Sequence, residues 1–128
     1  VLEVHGDLWA LKCVSCTHTE RLSAPASGIP SCPQCRSHLR PDVVWFGESL
    51  DLGIIEQVYS ELEKADVCMV IGTSALVQPS ASFPLVVKQN GGKLIEINVE
   101  QTILTGVVDV HLAGRAGEVL PSIDSLLE

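Results

Sequence analysis

The chain has 128 residues, with 8 basic and 16 acidic side chains that give a formal net charge of −8 at pH 7. This is the length of one domain, and 46% hydrophobic against 19% charged residues indicates a folded globular protein rather than a disordered one. The acidic balance and the lack of a basic run exclude a typical nucleic-acid binder. No apolar run approaches the ~20 residues of a membrane-spanning helix, so a membrane partner is not expected either.

Both ends of the sequence have the pattern of secondary structure. Residues 1–4 have the composition of a strand, the first residue is valine, and no signal peptide or charged leader is expected directly ahead of it. Apolar residues at helical spacing predict a closing helix over residues 117–128. A sequence that begins inside a strand is expected to be the C-terminal part of a longer chain, truncated at its N-terminus.

The segments after residue 40 alternate between strand and helix patterns. A strand is expected at residues 43–46, and Asp51 is expected to cap a helix with apolar residues at a 3.6-residue period. Residues 67–72 form an apolar run typical of a strand buried on both faces of a parallel sheet. The apolar positions of the predicted helix are Ile54, Ile55, Val58, Leu62 and Ala65.

Three further elements complete the alternation. Residues 79–89 predict a helix in which Pro84 introduces a kink, and Asn90-Gly91-Gly92 is expected to end it. Residues 94–98 and 107–112 predict two more strands. Alternating strands and helices indicate an α/β fold with a doubly wound parallel sheet.

Four of the five cysteines occur in two pairs within residues 8–40, with fifteen residues between the pairs. The pattern C-x2-C-x15-C-x2-C is typical of zinc sites, because each pair directs two thiolates toward one point and two pairs complete a tetrahedron. Four protein ligands leave no open position, so the zinc is expected to be structural. The ligands are Cys13, Cys16, Cys32 and Cys35.

Other interpretations of the cysteine-rich segment have less support from the sequence. Two disulfides are the alternative to zinc, but the odd cysteine count and the absence of a secretion signal disfavour them. His18 and His38 lie beside the cysteine pairs and could replace a ligand, although four cysteines suffice. Cys68 lies within an apolar run and is expected to be an inert core thiol.

Small and polar residues follow several predicted strands, where open α/β sheets bind their ligands. These segments are His5-Gly6, Gly72-Thr73-Ser74, Asn98-Val99-Glu100 and Gly114-Arg115-Ala116-Gly117. Each also has an ordinary interpretation, since a histidine can simply end a strand and Gly-Thr-Ser is common in turns. Their shared position at one edge of the sheet favours a site for a phosphate, ribose or adenine group. The G-x-G-x-x-G sequence of dinucleotide sites does not occur in this sequence.

Taken together, the motifs resemble the C-terminal part of a sirtuin, an NAD-dependent protein lysine deacylase, in its bacterial and mitochondrial class that includes desuccinylases. The resemblance covers essentially the whole sequence, in family order. It is carried by Val4-His5-Gly6, the paired cysteines, Val44-Trp45-Phe46-Gly47-Glu48, Gly72-Thr73-Ser74, Val77-Gln78-Pro79, Ile97-Asn98 and Gly117-Glu118-Val119-Leu120-Pro121.

The resemblance implies a role for each motif. His5 is the expected general base for a ribose hydroxyl of NAD, the co-substrate, while the four cysteines hold a structural zinc. NAD is expected to contact Gly72, Thr73, Ser74, Asn98, Val99, Glu100 and Ala116. An acylated-lysine peptide is expected to add as a strand between residues 44–48 (Val44, Trp45, Phe46, Gly47 and Glu48) and Val77. The products are lysine, nicotinamide and O-acyl-ADP-ribose.

The family resemblance also sets the expected organisation. Residues 1–7 are expected to end a Rossmann-like strand with His5, residues 8–40 to form an inserted zinc-ribbon module, and residues 41–128 to complete the NAD-binding domain. The family's Gly-Ala-Gly phosphate loop is absent from this sequence, so the chain by itself is expected to be inactive. The alternative function is a non-catalytic zinc-ribbon module that binds peptide. A cytoplasmic location is expected, with the mitochondrion as the alternative.

Overall fold

The computed structural model describes residues 1–127. These residues divide into two compact units, with the boundary between Glu56 and Gln57. Within the described residues, no helix combines the length and the apolar character needed to cross a membrane. The elements in chain order are β1 (Gly6–Cys13), β2 (Thr19–Arg21), β3 (Leu39–Val43), α1 (Leu52–Leu62), β4 (Val67–Ile71), a 3₁₀ turn (Ser80–Ser82), α2 (Phe83–Gln89), β5 (Lys93–Asn98), β6 (Val110–Ala113) and α3 (Ala116–Asp124).

The first unit is built on an antiparallel sheet in the order β2-β1-β3. Leu11 of β1 and Leu39 of β3 are buried and pack with Cys13 and Cys32 in one small core. The register between β1 and β3 shifts between Asp7 and Leu11, which marks a bulge in β1. The small apolar core therefore lies directly against the cysteine pairs.

The predicted strand at residues 1–4 is wrong, because the first strand begins at Gly6. Gly6 donates its backbone N–H to Glu3, which closes a turn, and Val1 is fully exposed. Pairing decides this outcome: within the described residues no strand lies beside residues 1–4, whereas Gly6 lies opposite Val43 of β3. Without a neighbouring strand, the backbone groups of residues 1–4 have no ladder of hydrogen bonds to join, and the two that Val4 and Gly6 donate are local to the turn.

The predicted buried strand at residues 43–46 is also wrong beyond its first residue. β3 ends at Val43, and Trp45 and Phe46 are exposed, with Phe46 at 94%. The backbone N–H of Glu48 donates to Trp45 at 2.9 Å, so the chain reverses there, and Gly47 has φ +90°. The apolar run therefore forms a surface turn that leads out of the sheet.

The second unit contains a parallel sheet in the order β4-β5-β6, which confirms the predicted parallel sheet. Leu85 of α2 packs against the buried cluster that contains Val70 of β4, while Met69 lies beside Leu120 and Ile123 of α3. Neighbouring residues of a strand point to opposite faces, so α2 and α3 cover opposite faces of the sheet. This arrangement is a three-stranded, doubly wound α/β unit.

The burial predicted for residues 67–72 is wrong on one face. Val70 is 7% exposed, but Val67, Met69 and Ile71 are 51%, 43% and 39% exposed. β4 is an edge strand of this sheet, and α3 covers only part of the face that these three residues share. The hydropathy of an apolar strand does not determine how much of each of its faces is covered by neighbouring helices.

The helix predictions hold in their main features. Ile54 donates its backbone N–H to the Asp51 carboxylate at 3.0 Å, which confirms the predicted cap of α1. The predicted apolar positions are half-buried, although the helix ends at Leu62 and leaves Ala65 outside. Pro84 does not kink a long helix, because a 3₁₀ turn comes first and Pro84 lies in the first turn of α2.

The last two predicted elements are shorter than expected. β6 begins at Val110, because residues 107 and 108 form a turn in which both backbone N–H groups donate to Leu104. α3 ends at Asp124, three residues before the exposed Leu127. The predicted end of this helix at Glu128 lies outside the described residues.

Candidate functional site

The four predicted zinc ligands converge in the first unit. Their Sγ atoms all lie within 4.8 Å of one another. The Sγ distances are 3.4 Å for Cys13–Cys35 and 3.6 Å for Cys16–Cys32, close to the about 3.8 Å edge of a tetrahedron with 2.3 Å Zn–S bonds. The cysteines are free, and none forms a disulfide. The donor set and its geometry therefore fit a structural zinc ion.

The electrostatics of the four thiols also favour a bound cation. Hydrogen bonds from the backbone and hydroxyl of Ser37 lower the pKa of Cys35 to about 6. A hydrogen bond with the His18 backbone lowers the pKa of Cys16, but burial and the other three sulfurs together outweigh it and raise that pKa to about 12. Without a cation, the four neighbouring sulfurs cannot all be negatively charged at low cost. A divalent cation stabilises all four thiolates together.

The two histidines beside the cysteine pairs are not part of this cluster. His18 Nε2 lies 3.3 Å from a carboxylate oxygen of Glu20, and His38 is exposed. Cys68 lies in β4 outside the cluster, where burial raises the pKa of its thiol. These positions agree with the sequence-based choice of ligands.

His5 lies immediately before β1 and its side chain is exposed. Its backbone carbonyl accepts the N–H of Val44 at 3.0 Å, which brings the predicted general base beside the predicted peptide-binding segment. Gly6 has φ +82°, and a Cβ atom there would lie 2.0 Å from the Asp42 carbonyl oxygen. The glycine is therefore required for the close approach of β1 to β3.

Residues 44–48 form a loop that a side-chain network holds in place. Arg40 donates to the Val43 carbonyl at 3.0 Å, forms an ion pair with Glu48, and stacks 4.3 Å from the Trp45 ring centre. The other Glu48 oxygen accepts the Trp45 backbone N–H at 3.1 Å. The hydrogen bond from Arg40 holds the pKa of Glu48 below its usual value. The loop thus presents Phe46 on an ordered backbone.

The second unit has a cleft of about 440 Å³ at the carboxyl ends of β4 and β5. Five of the predicted cofactor-binding residues line this cleft. They come from the motif that follows β4 and from the motif at the end of β5, so the two motifs lie at one site. Open α/β sheets bind ligands at this edge. The predicted lining residues are Gly72, Thr73, Ser74, Asn98 and Glu100.

Hydrogen bonds join the two motifs across the cleft. The Asn98 side-chain amide donates to the Thr73 carbonyl at 2.8 Å, and its oxygen accepts the Glu100 N–H at 3.4 Å. Gly72 donates its N–H to Ile97 at 2.9 Å and has φ +62°, which turns the chain out of β4. Backbone amides, hydroxyls and a carboxylate at one edge are groups that hydrogen-bond sugar hydroxyls.

The structure does not bring every predicted residue into this cleft. Val99 is 62% exposed and Ala116 opens α3, and neither lines it. Val77 is half exposed and accepts the Ala81 N–H at 2.9 Å in the turn before α2. Four more lining residues were not predicted from the sequence, although the threonine among them follows a strand-end motif by only two positions. The missed residues are Leu76, Gln101, Thr102 and Ile103.

The sequence is similar to a family of known proteins. The Sir2 family model matches residues 1–79 of the chain. An NAD-dependent protein deacylase of Thermococcus kodakarensis is 45% identical over 131 residues, which cover 96% of this chain and 51% of that protein.

Solved structures give the same result for the fold. A structure described as a Sir2 homolog–NAD complex superposes with a TM-score of 0.90 and 46% identity, over 96% of this chain and 49% of that chain. A Sir2–p53 peptide–NAD+ structure has a TM-score of 0.87 and 27% identity, over 96% of this chain and 53% of that chain. The chain therefore spans about half the length of the proteins that it matches.

Proposed function

We propose that this chain, which belongs to the Sir2 family, forms part of an NAD-dependent protein lysine deacylase. The observation that carries the proposal is the strand-end cleft lined by both predicted nucleotide motifs. The name of the Thermococcus relative and the NAD-bound structural neighbour support the same activity. The activity belongs to the full-length protein that contains this chain.

The cleft is proposed to hold part of NAD. Gly72 leaves open space above the end of β4, since no atom lies within 4 Å of a Cβ built there. Thr73 and Ser74 offer hydroxyls to ribose or phosphate oxygens, while Asn98 and Glu100 offer an amide and a carboxylate to ribose hydroxyls. Val99 and the backbone at Ala116 are proposed to complete the site when the cofactor is bound.

The loop 44–48 is proposed to receive the acylated-lysine peptide as an added strand, together with Val77. The exposed Phe46 supplies an apolar contact, and Gly47 leaves the backbone accessible. The ion pair between Arg40 and Glu48 keeps this loop ordered before the peptide arrives, which lowers the entropic cost of binding. A structure of a family relative with p53 peptide and NAD+ supports this class of substrate.

His5 is proposed as the general base that takes a proton from a ribose hydroxyl. A neutral imidazole has one ring nitrogen with a free lone pair, which can take a proton from a hydroxyl group. NAD supplies the leaving nicotinamide and the ribose that accepts the acyl group. His5 and the loop are both anchored through the hydrogen bond between the His5 carbonyl and Val44.

Zinc is proposed to stabilise the module at residues 8–40 without taking part in the reaction. Cys13, Cys16, Cys32 and Cys35 would fill all four positions of a tetrahedral ion. Residues 1–7 are proposed to contribute His5, and residues 41–128 the C-terminal part of the NAD-binding domain. We propose the cytoplasm as the compartment, with the mitochondrion as the alternative.

The test is deacylation of acetyl-lysine and succinyl-lysine peptides by the full-length protein, followed as nicotinamide release. We expect turnover that requires NAD, and we expect none from the 128-residue chain alone. The variant His5→Ala should lower kcat by about 10²-fold or more while peptide affinity stays within about twofold. His38→Ala, which changes an exposed histidine beside the zinc cluster, should leave kcat unchanged.

One result would reject the proposed activity, and another would reject the proposed role of His5. The full-length protein could bind the peptides and release no nicotinamide with either acyl group, which would favour the non-catalytic peptide-binding module. His5→Ala could also retain full turnover, which would remove His5 from the reaction and leave the family assignment intact.

A further inference from the structure

Glu96 in the middle of β5 is fully buried, and it is the one charged side chain with that property in the part of the chain that the structure describes. It pairs in register with Val70 of β4 and His111 of β6. A carboxylate in this position is expensive unless its oxygens are hydrogen-bonded. Its partners therefore explain why it is tolerated.

Three donors face the Glu96 carboxylate. The Thr102 hydroxyl donates to one oxygen, and the Thr105 hydroxyl and His111 Nδ1 donate to the other at 2.5 and 2.9 Å. Burial by itself raises the pKa of Glu96, but these hydrogen bonds more than offset that effect and hold its pKa below the usual value. The group is therefore an ionised carboxylate that only accepts hydrogen bonds.

The two threonines also organise the loop between β5 and β6. Thr102 Oγ1 accepts the Leu104 N–H at 3.0 Å, and Thr105 Oγ1 accepts the Thr102 N–H at 2.8 Å. Each hydroxyl thus joins a loop amide to the buried carboxylate. Leu104 is 3% exposed and packs against Val70, which gives the loop a second anchor.

This loop forms one wall of the strand-end cleft. Gln101, Thr102 and Ile103 line the cleft, and Asn98 lies two residues beyond Glu96 on the same face of β5. Thr102 is the one member of the Glu96 network that also lines the cleft. A substitution at another member of the network would therefore shift this wall without removing a side chain that lines the cleft.

We infer that Glu96 is a positioning residue for the nucleotide: it fixes the loop of residues 99–106 in the shape that the cleft needs to bind ADP-ribose. This inference rests on the proposed function, since it assumes that the cleft binds the ADP-ribose part of NAD. A purely structural role would lower the stability of the protein and leave nucleotide affinity unchanged in the folded molecules. A positioning role changes that affinity selectively.

The decisive comparison is Thr105→Val against Thr105→Ser in the full-length protein. Valine keeps the shape of threonine but removes both the donor to Glu96 and the acceptor of the Thr102 N–H, whereas serine keeps both. Glu96→Gln, which leaves the Thr105 hydroxyl in place, tests the carboxylate separately. Thr105 does not line the cleft, so neither change removes a ligand contact. The probe is ADP-ribose binding by calorimetry, together with KM for NAD, KM for the acylated peptide and kcat.

We expect Thr105→Val to weaken ADP-ribose binding and raise KM for NAD about five- to tenfold, with peptide KM and kcat within about twofold. Thr105→Ser should stay within about twofold of the wild type in every constant. Glu96→Gln should weaken binding at least as much, because an amide cannot accept from all three donors. If Glu96→Gln does not fold, as judged by circular dichroism, Thr105→Val decides the question.

Unchanged ADP-ribose affinity in folded Thr105→Val would overturn the inference, as would wild-type protein that does not bind ADP-ribose. An equal loss in Thr105→Ser would also overturn it, because the donor would then be irrelevant. If the expected changes in ADP-ribose affinity occur in a protein without deacylase activity, the inference stands and the proposed reaction fails.

Discussion

Asn98, the last residue of β5, donates its side-chain amide to the backbone carbonyl of Thr73, 2.8 Å away beyond the end of β4. The bond joins the end of β5 to the loop after β4, between residues that are 25 positions apart in sequence. It fixes the width of the cleft at its polar edge, where Thr73 and Asn98 are both lining residues.

Asn98→Asp should open this edge. A carboxylate oxygen would replace the donor and face the Thr73 carbonyl, so two acceptors would repel each other, and the cleft would gain a negative charge near Glu100. We expect ADP-ribose to bind about tenfold more weakly or worse, measured by calorimetry on the full-length protein.

The matched control is Asn90→Asp, which makes the same chemical change at the end of α2, outside the cleft. It should leave ADP-ribose affinity unchanged, although a negative charge at a helix C-terminus costs about 0.3–1 kcal/mol of stability. Equal effects of the two substitutions would contradict a specific role for Asn98.

Cys35→Ser should abolish tight zinc binding. A structural zinc ion binds four protein ligands, and removal of one thiolate leaves only three. Elemental analysis of protein purified without chelator should give about one zinc per wild-type chain and much less for the variant, with a lower unfolding temperature.

Cys68→Ser provides the control, because this half-buried thiol lies in β4 outside the cluster. Its zinc content should match that of the wild type even if the polar hydroxyl lowers stability. Loss of zinc from Cys68→Ser, or full zinc content in Cys35→Ser, would show that the ligand set is wrong.

Gly6→Ala should destabilise the first unit strongly. The new methyl group would lie 2.0 Å from the Asp42 carbonyl oxygen, at a residue whose φ of +82° already disfavours any side chain. Separation of β1 from β3 should cost about 3 kcal/mol or more, measured by chemical denaturation.

Gly28→Ala is the comparison, since a Cβ atom there meets nothing within 4 Å. We expect its stability to lie within about 0.5 kcal/mol of the wild type. Similar stability of the two alanine variants would mean that β1 and β3 do not approach as closely as the structure indicates.

The Arg40–Glu48 pair predicts a pH dependence of the loop at residues 44–48. The pair lowers the folded pKa of Glu48, so its stabilising effect is fully present above the ordinary glutamate pKa of about 4.3. The effect is lost as the pH falls through the lower, folded pKa. The Arg40 cation near the Trp45 ring makes the indole fluorescence a reporter of this change.

In a Trp9→Phe background, the fluorescence of Trp45 should titrate with a midpoint below that ordinary value. Glu48→Gln should remove the transition, whereas Glu61→Gln, which changes an exposed acid of α1, should retain it. A transition that persists in Glu48→Gln would assign the titration to another group.

Local patterns in the sequence were sufficient for several features. The spacing of the four cysteines identified the cluster, and the Asp51 signal placed the start of α1, because zinc knuckles and helix caps are formed by residues close in sequence. The strand-end motifs also predicted five residues of the cleft, since the carboxyl ends of parallel strands lie at one edge of the sheet.

The burial of individual residues depended on the partners of each strand. Trp45 and Phe46 have the hydropathy of core residues but are exposed, because β3 ends at Val43 and the chain turns away from the sheet. Glu96 has the opposite character, since it looks like a surface acid in sequence yet is completely buried.

Sequence patterns were therefore enough to predict the four-cysteine cluster, the alternation of strands and helices around a parallel sheet, and the resemblance to the Sir2 family. The folded structure was needed to show that Thr102, Thr105 and His111 stabilise Glu96, and that the loop between β5 and β6 forms a wall of the cleft. The reason is physical: ligand spacing and helix capping act over a few residues, whereas the burial of a charge depends on donors that folding brings from other strands and loops.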